Sequence, residues 1–362
     1  VKWLAKQPLR QAFNLKIMIR ITLLLLACLY ASLARANGPG DNIVVTKIWD
    51  QAKHNAFPDL IKFGDYLYCT LREGANHVGN ENNGQVRMIR SKDGKNWESV
   101  GLFEMDKEDV REARLSITPQ GTIMAIVAAG IFKDGRYLTL DPYVSFSDKS
   151  GLNFSKPQKT TFGPGITPTL DWIWRVTWDK GIGYGIMYSI DYRMEGNQRI
   201  RTMQAQLLRT TDGKHFEHVS KLDSSGSPNE STIRFDKSGK MYVMVRRETE
   251  DQMGVMAVSN FPYTSWNYHK MSIRLGGPNF QFLGKNSLIM GSRLHEGKAA
   301  TTALHVTDLN GKILKSIKLP SGGDNSYPGL VMDKKQLWVA YYSSHEGKSN
   351  IYLTKISLKD LR

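Results

Sequence analysis

One pattern recurs six times along this chain, and it limits the fold more than any other feature. Each copy is a small residue or proline, a short hydrophobic strand, a Gly- or Lys-containing turn and a longer hydrophobic strand. The copies open at Pro58, Ala113, Trp174, Ser231, Pro278 and Pro328. With Leu60, Leu115, Val176, Ile233, Phe280 and Leu330 as markers, they lie 55, 61, 57, 47 and 50 residues apart. The strand-like runs are rich in Val, Ile, Tyr, Phe and Trp, Gly/Asp/Asn/Ser turns separate them, and no long segment has helical periodicity. A period of this length in an all-β chain is that of a four-stranded propeller blade. A two-sheet sandwich would give strands but no period. The sequence therefore predicts an all-β, six-bladed β-propeller in one domain spanning 37–362. Gln336–Tyr342 and Asn350–Ile356 supply two further strands of the last blade. Ile43–Ile48 is expected to return as its outer strand, closing the ring by an N-terminal strand and removing an open edge.

The first 36 residues hold six bases and no acid around the apolar run Ile21–Tyr30. With Arg20 before it and Ala34-Arg35-Ala36 after it, this reads as a secretory signal peptide over 1–36, cleaved after Ala36. Residues 1–17 read as a start-site extension, since Met18-Ile19-Arg20 makes a better beginning. Leu25-Leu26-Ala27-Cys28 offers the alternative of a lipoprotein acylated at Cys28. A retained span is disfavoured, because the run falls short of the ~20 apolar residues a bilayer requires. The expected product is secreted or periplasmic, with no transmembrane span, and monomeric. Losing six bases takes the net charge from +15 to +9, which favours acidic partners. Nucleic acid is excluded for want of any accompanying helix-based or aromatic motif. Cys69 is then the only cysteine, so core burial must supply the stability.

A second signal is offset from the first. Asp93-Gly94 and Asp212-Gly213, each followed by an aromatic, and the stretched Asp148–Phe154 resemble shortened Asp-boxes. Asp bonds nearby amides and Gly takes positive φ, which makes tight hairpins. Their expected role is structural, away from the functional face.

Equal offsets from the markers imply equal depth on the propeller axis. Three residues before them stand Phe57, Glu112, Ile173, Glu230, Gly277 and Tyr327. Twelve or thirteen after them, on the returning strands, stand Arg72, Tyr188, Arg246, Arg293 and Tyr342. The loops at one end of a propeller carry its site, so carboxylates, arginines and a tyrosine should ring one pocket. Trp172 and Arg175, beside Trp174, and Arg111, beside Glu112, are further candidates there. Trp172 is divided between sugar stacking and blade core. Arg247 should face the other side of its strand. The histidines lack metal-ligand spacing, so neither a metal nor any other cofactor is expected.

On the order Glu230, Arg246, Arg293, Tyr327, together with the Asp-box-like turns, the chain resembles the sialidase superfamily of six-bladed propellers. The resemblance implies a Tyr327 nucleophile, Glu230 as its base, and Arg246 with Arg293 holding a substrate carboxylate. A neutral phenol suits an anomeric centre that bears a carboxylate, which would repel an anionic nucleophile. Two positions depart from the family. Ala56 stands where a third carboxylate-binding Arg is expected, with Arg72 or Arg111 as compensating candidates. The acid/base Asp after the first blade's second strand is missing, and His77 or Glu81 is offered in its loop. Imidazole titrates near neutrality, which favours His77. The expectation is a sialidase-like exo-glycosidase removing a terminal acidic sugar from a glycan. The alternatives are a non-catalytic acidic-glycan-binding propeller and a Tyr/His lyase acting on a uronic acid.

Overall fold

The computed structural model describes residues 43–79, 81 and 83–361. The signal peptide over 1–36, its extension over 1–17 and the Cys28 alternative lie outside the described residues. From Ile43 onward the chain forms one compact unit. Among the described residues there are only strands and their connections, and no helix is long and apolar enough to cross a membrane.

Six sheets follow one another around the ring, each with its inner strand at one edge. The inner strands are His54–Phe63, Asp109–Ile117, Asp171–Asp179, Pro228–Phe235, Asn279–Phe282 and Asn325–Asp333. All six markers fall on them. The last sheet is completed by Val45–Trp49, which pairs antiparallel with Asn350–Ser357. The expected closing strand is therefore present, starting two residues later than the sequence pattern suggested. Beside it, the Asn55 side chain donates to the Ser349 carbonyl at 2.9 Å, tying blade one to blade six.

Between blades the contact is mostly apolar, as in the cluster of Val86, Val110, Leu115 and Ala125 across blades one and two. A polar latch repeats inside it. Thr70 donates to the Ala113 carbonyl at 2.9 Å, Thr232 to Pro278 at 2.9 Å and Asn279 to Pro328 at 3.0 Å. These carbonyls sit where the inner strand leaves its own ladder, so a neighbouring side chain satisfies them.

The Asp-Gly turns do related work at the opposite end of the blades. Asp93 Oδ1 accepts from the Lys95 and Asn96 amides at 2.8 Å, and Asp212 Oδ1 from Lys214 and His215 at 2.8 and 2.9 Å. Gly94, at φ 74°, lies so close to blade six that a Cβ would sit 2.5 Å from the Trp338 ring. Gly151 meets Tyr68 of blade one and Gly213 meets Met124 of blade two in the same way. Each turn thus packs against the preceding blade.

Candidate active site

The residues three before each marker reach the axis through a repeated irregularity. In blades one, two, three, four and six the ladder shifts register just there, for example between Ala56 and Asp59 and between Ser326 and Gly329. A bulge of this kind turns its extra residue out of the sheet. Phe57, Glu112, Gly277 and Tyr327 all have φ between 55° and 60°. For the three that are not glycine, this left-handed conformation costs on the order of 1–3 kcal/mol each, a load found mainly at functional sites.

At the centre, the Tyr327 hydroxyl donates to Glu230 Oε1 at 2.5 Å. Glu230 Oε2 accepts from the Gly277 amide at 2.9 Å and pairs with Arg246 Nη1 at 2.6 Å. Arg246 Nη1 also donates to the Tyr327 oxygen at 3.1 Å. Gly277 is required here: a Cβ would lie 2.4 Å from Tyr327 Cγ. Burial alone would raise the Glu230 carboxyl, but Arg246 and the Tyr327 hydrogen bond hold it below its ordinary value. Burial, and then the Glu230 charge, push the Tyr327 phenol well above its ordinary value. The resting pair is a neutral phenol on a carboxylate.

Positive charge gathers around it. Arg293 donates from Nη2 to Tyr342 OH at 3.1 Å and from Nε to the Asn325 carbonyl at 2.9 Å, and its guanidinium lies 6.0 Å from the Tyr327 ring. Arg246 Nη2 pairs with Glu248 at 2.5 Å, and Arg274 approaches the same carboxylate at 3.7 Å. The Arg246 and Arg293 side chains are only 14% and 18% exposed. His295 is held down to about 4 by burial and then by Arg274, Arg293 and Arg246. Each of the three arginines also meets a carboxylate: Arg246 meets Glu230 and Glu248, Arg274 meets Glu248, and Arg293 meets Asp324. Arg274, Glu248 and His295 were not among the sequence candidates.

Several candidates do not reach this centre. Arg72, almost fully buried, donates from Nε to Asp109 at 2.8 Å and from Nη1 to the Asn76 carbonyl at 2.8 Å. Arg175 is bound bidentately by Asp59, at 2.7 and 2.9 Å. Both side chains are thus engaged with buried carboxylates of another blade's inner strand rather than with Tyr327 or Glu230. Trp172 is buried and stacks on Tyr188 at 5.8 Å, so it belongs to the blade core. Glu81 is exposed and accepts from Asn76 at 3.3 Å. Arg111 donates to Tyr137 OH at 2.9 Å and to the His77 carbonyl at 2.5 Å, making it a support for the His77 loop. Glu112, by contrast, does reach the centre: burial raises its carboxyl, its charge acts on Tyr327 and Glu230, and it bonds at 3.4 Å to Arg114 Nη2, whose guanidinium lies 5.5 Å from the Tyr327 ring. Ala56 is fully buried. Arg247 turns away from the axis to Glu250 and Asp251.

His77 is at the pocket. Its ring meets Phe57 at 5.0 Å, and Phe57 meets Tyr327 at 5.0 Å. Its Nδ1 lies 2.7 Å from Asp324 Oδ2, to which His54 Nε2 also bonds at 3.0 Å. These three are the group among the described residues whose donor atoms lie close enough to share a cation, within 4.8 Å. Both rings point at one carboxylate oxygen, which is the pattern of a hydrogen-bonded chain. Asp324 was missed by the sequence, although it supplies an acidic side chain at a rim where none was expected.

No protein-family model and no curated protein matches the chain. Solved structures do match. A protein of unknown function from Dyadobacter fermentans superposes with a TM-score of 0.70 at 19% identity, covering 86% of this chain and 97% of that one. The Trypanosoma rangeli sialidase, as a covalent intermediate with 2,3-difluorosialic acid, gives 0.67 at 10% identity over 88% of this chain. The fold is the sialidase propeller. A phage phi92 endosialidase shares it, at a TM-score of 0.64 and 9% identity. The match spans 57% of the trypanosomal sialidase chain, so only the propeller is common to both.

Proposed function

We propose that this sialidase-fold protein is a retaining exo-glycosidase that removes a terminal acidic sugar through Tyr327. The observation that carries the proposal is the Tyr327 hydroxyl on Glu230 at 2.5 Å, with Arg246 on both. A phenol above its ordinary pKa and a carboxylate below it do not exchange a proton at rest. Transfer must accompany bond formation to the anomeric carbon. The substrate carboxylate assists, because by drawing Arg246 toward itself it relieves Glu230 of the charge that lowers its basicity. Arg246 and Arg293 flank Tyr327 and suit bidentate capture of that carboxylate. In the first half-reaction Tyr327 bonds to the anomeric carbon, the glycosidic bond breaks, Glu230 takes the phenolic proton and His77 protonates the leaving oxygen. In the second, water attacks that carbon, His77 takes its proton and the Tyr327 oxygen recovers its own from Glu230. His77 is favoured over Glu81 because its ring packs at the pocket while Glu81 is engaged with Asn76. An open groove of about 930 Å³, lined by Gln204, Gln206, His218, Lys221, Asp223 and Pro228 among others, adjoins the start of the Glu230 strand and gives the remaining glycan room.

The test is a panel of aryl glycosides of sialic acid, related 2-keto acids and uronic acids, followed by NMR of the first-formed product. Release of the sugar with retained configuration is expected. Unsaturated, ultraviolet-absorbing products would instead establish the eliminase. Saturable binding without turnover would establish a glycan-binding propeller.

A further inference from the structure

Asp324 stands just before the last inner strand and gathers four side chains. Tyr342 OH donates to its Oδ1 at 2.7 Å, and Arg293 Nη2 lies 3.6 Å from the same oxygen. His54 Nε2 and His77 Nδ1 both address its Oδ2. Its own backbone is fixed: its amide donates to Ser344 Oγ at 2.8 Å, and its carbonyl accepts from the Ser344 amide at 3.0 Å. Burial would raise this carboxyl, but the bonds from His54 and His77 hold it below its ordinary range, so it is an anion that can only accept.

The proton positions follow from this. His54 is buried, and burial holds its ring below the usual value and therefore neutral. A neutral ring carries one N–H. It belongs on Nε2, facing Asp324, because His54 Nδ1 is buried and faces no partner. His77 must likewise present Nδ1–H to the carboxylate. Its carbonyl is held by Arg111, Phe57 lies against its ring, and the ring is half-exposed, at 49%. Loop, ring plane and tautomer are thereby all set.

We infer that Asp324, braced by His54 and Tyr342, is the positioning residue for His77, fixing its Nδ1–H so that Nε2 is the atom that exchanges protons with substrate. The inference rests on the hydrolase reading for its chemical consequence, though not for its geometry. In the imidazolium form Nε2–H gives its proton to the leaving oxygen as the glycosidic bond breaks. The ring is then neutral, Nδ1 still protonated, with a bare Nε2 directed away from Asp324 and ready to take the proton of the attacking water. With the other tautomer, Nε2–H would remain and the second step would have no base. Charged or titratable neighbours facing this group are His54, Asp324, Arg293, Tyr342, Arg111 and Glu112.

Two measurements test it separately from turnover. Long-range 1H–15N correlation spectra report the tautomer of neutral His77, assigned by its disappearance in His77→Gln. The Nδ1–H form is expected in the wild type, reverting in Asp324→Asn to the Nε2–H form that free side chains prefer. A wild-type Nε2–H tautomer overturns the inference whether or not the variant folds. So does a signal pattern that changes on adding a chelator, which would mean a metal on Nδ1. The kinetic arm compares leaving groups. Asp324→Asn and His77→Gln should both lose about 10²–10⁴-fold in kcat on alkyl or sugar leaving groups and little on activated aryl ones. An Asp324→Asn enzyme with wild-type leaving-group sensitivity overturns the positioning role. If the tautomer is as expected but nothing is hydrolysed, the hydrolase reading falls and the positioning stands.

Discussion

Replacing Gly277 by alanine isolates the geometry on which the proposed chemistry depends. The new Cβ would lie 2.4, 2.6 and 2.8 Å from Cγ, Cδ2 and Cδ1 of Tyr327, where carbon atoms rest at about 3.5–4.0 Å. The ring must move by roughly 1 Å to restore contact distance. It cannot do so freely, since Phe57 and Trp174 hold it at centroid separations of 5.0 and 5.9 Å. Alanine at φ 60° adds a backbone penalty of about 1–2 kcal/mol, and overpacking adds about 1–3 kcal/mol. The expected variant is folded, about 2–5 kcal/mol less stable, with the Tyr327–Glu230 bond broken. A displacement of about 1 Å at a reacting group costs on the order of 10²-fold in rate. Turnover of a fluorogenic aryl glycoside, alongside denaturant unfolding and binding of the free sugar acid, measures each part. The expected result is a fall in kcat with a small change in affinity, because Arg293 and Arg246 are not displaced. A folded Gly277→Ala protein with wild-type kcat would refute the claim that the position of Tyr327 matters.

Other expectations follow from the same structure. Glu230→Gln should lower kcat by about 10²-fold or more while leaving product stereochemistry unchanged, as loss of a base requires; unaltered kcat would remove Glu230 from the mechanism. A bound substrate carboxylate favours the charged form of a nearby imidazole. The His295 value of about 4 should therefore rise by roughly a unit when the sugar acid binds; an NMR titration that does not move would place the anion elsewhere. Asp59→Ala leaves Arg175 buried without its partner and should cost about 3–5 kcal/mol in urea unfolding, whereas a loss under about 1 kcal/mol would contradict the buried pairing. Burial would raise the Asp59 carboxyl, but Arg175 holds it below its ordinary value. Its contribution is thus complete above the unfolded value of about 3.9 and disappears as pH falls through the lower folded value. Asp59→Asn should flatten the acid limb of the stability curve, and an unchanged limb would count against the pairing.

The period and the closing strand were legible because a propeller repeats one local solution to burial, and a repeated solution leaves a repeated pattern. The depth of Tyr327, Glu230 and Glu112 was legible for the same reason: equal offsets carried the bulge with them. What could not be read was which guanidiniums stand beside Tyr327. Arg72 has the offset of a ligand-binding residue and Arg175 stands beside one of the inner-strand tryptophans, but Asp109 and Asp59 claim them from other blades, and pairing across blades leaves no mark on local sequence. Asp324 is the instructive omission. Three residues further upstream of the markers stand His54, Asp109, Arg274 and Asp324, and all four make ionic or hydrogen-bonded contacts at the rim or just below it. The offset rule taken one step further would have named them. Glu248 and His295, two residues beyond Arg246 and Arg293, follow from strand alternation in the same way.

The central claim is that Tyr327 forms a glycosyl bond. A fluorinated acidic sugar fluoride, which slows the second half-reaction, followed by peptide mass mapping, tests it most directly. The account predicts one adduct, on the peptide bearing Tyr327, absent in Tyr327→Phe and lost on chasing with an acceptor. Turnover of the parent substrate with no adduct, or with the adduct on another residue, would contradict it.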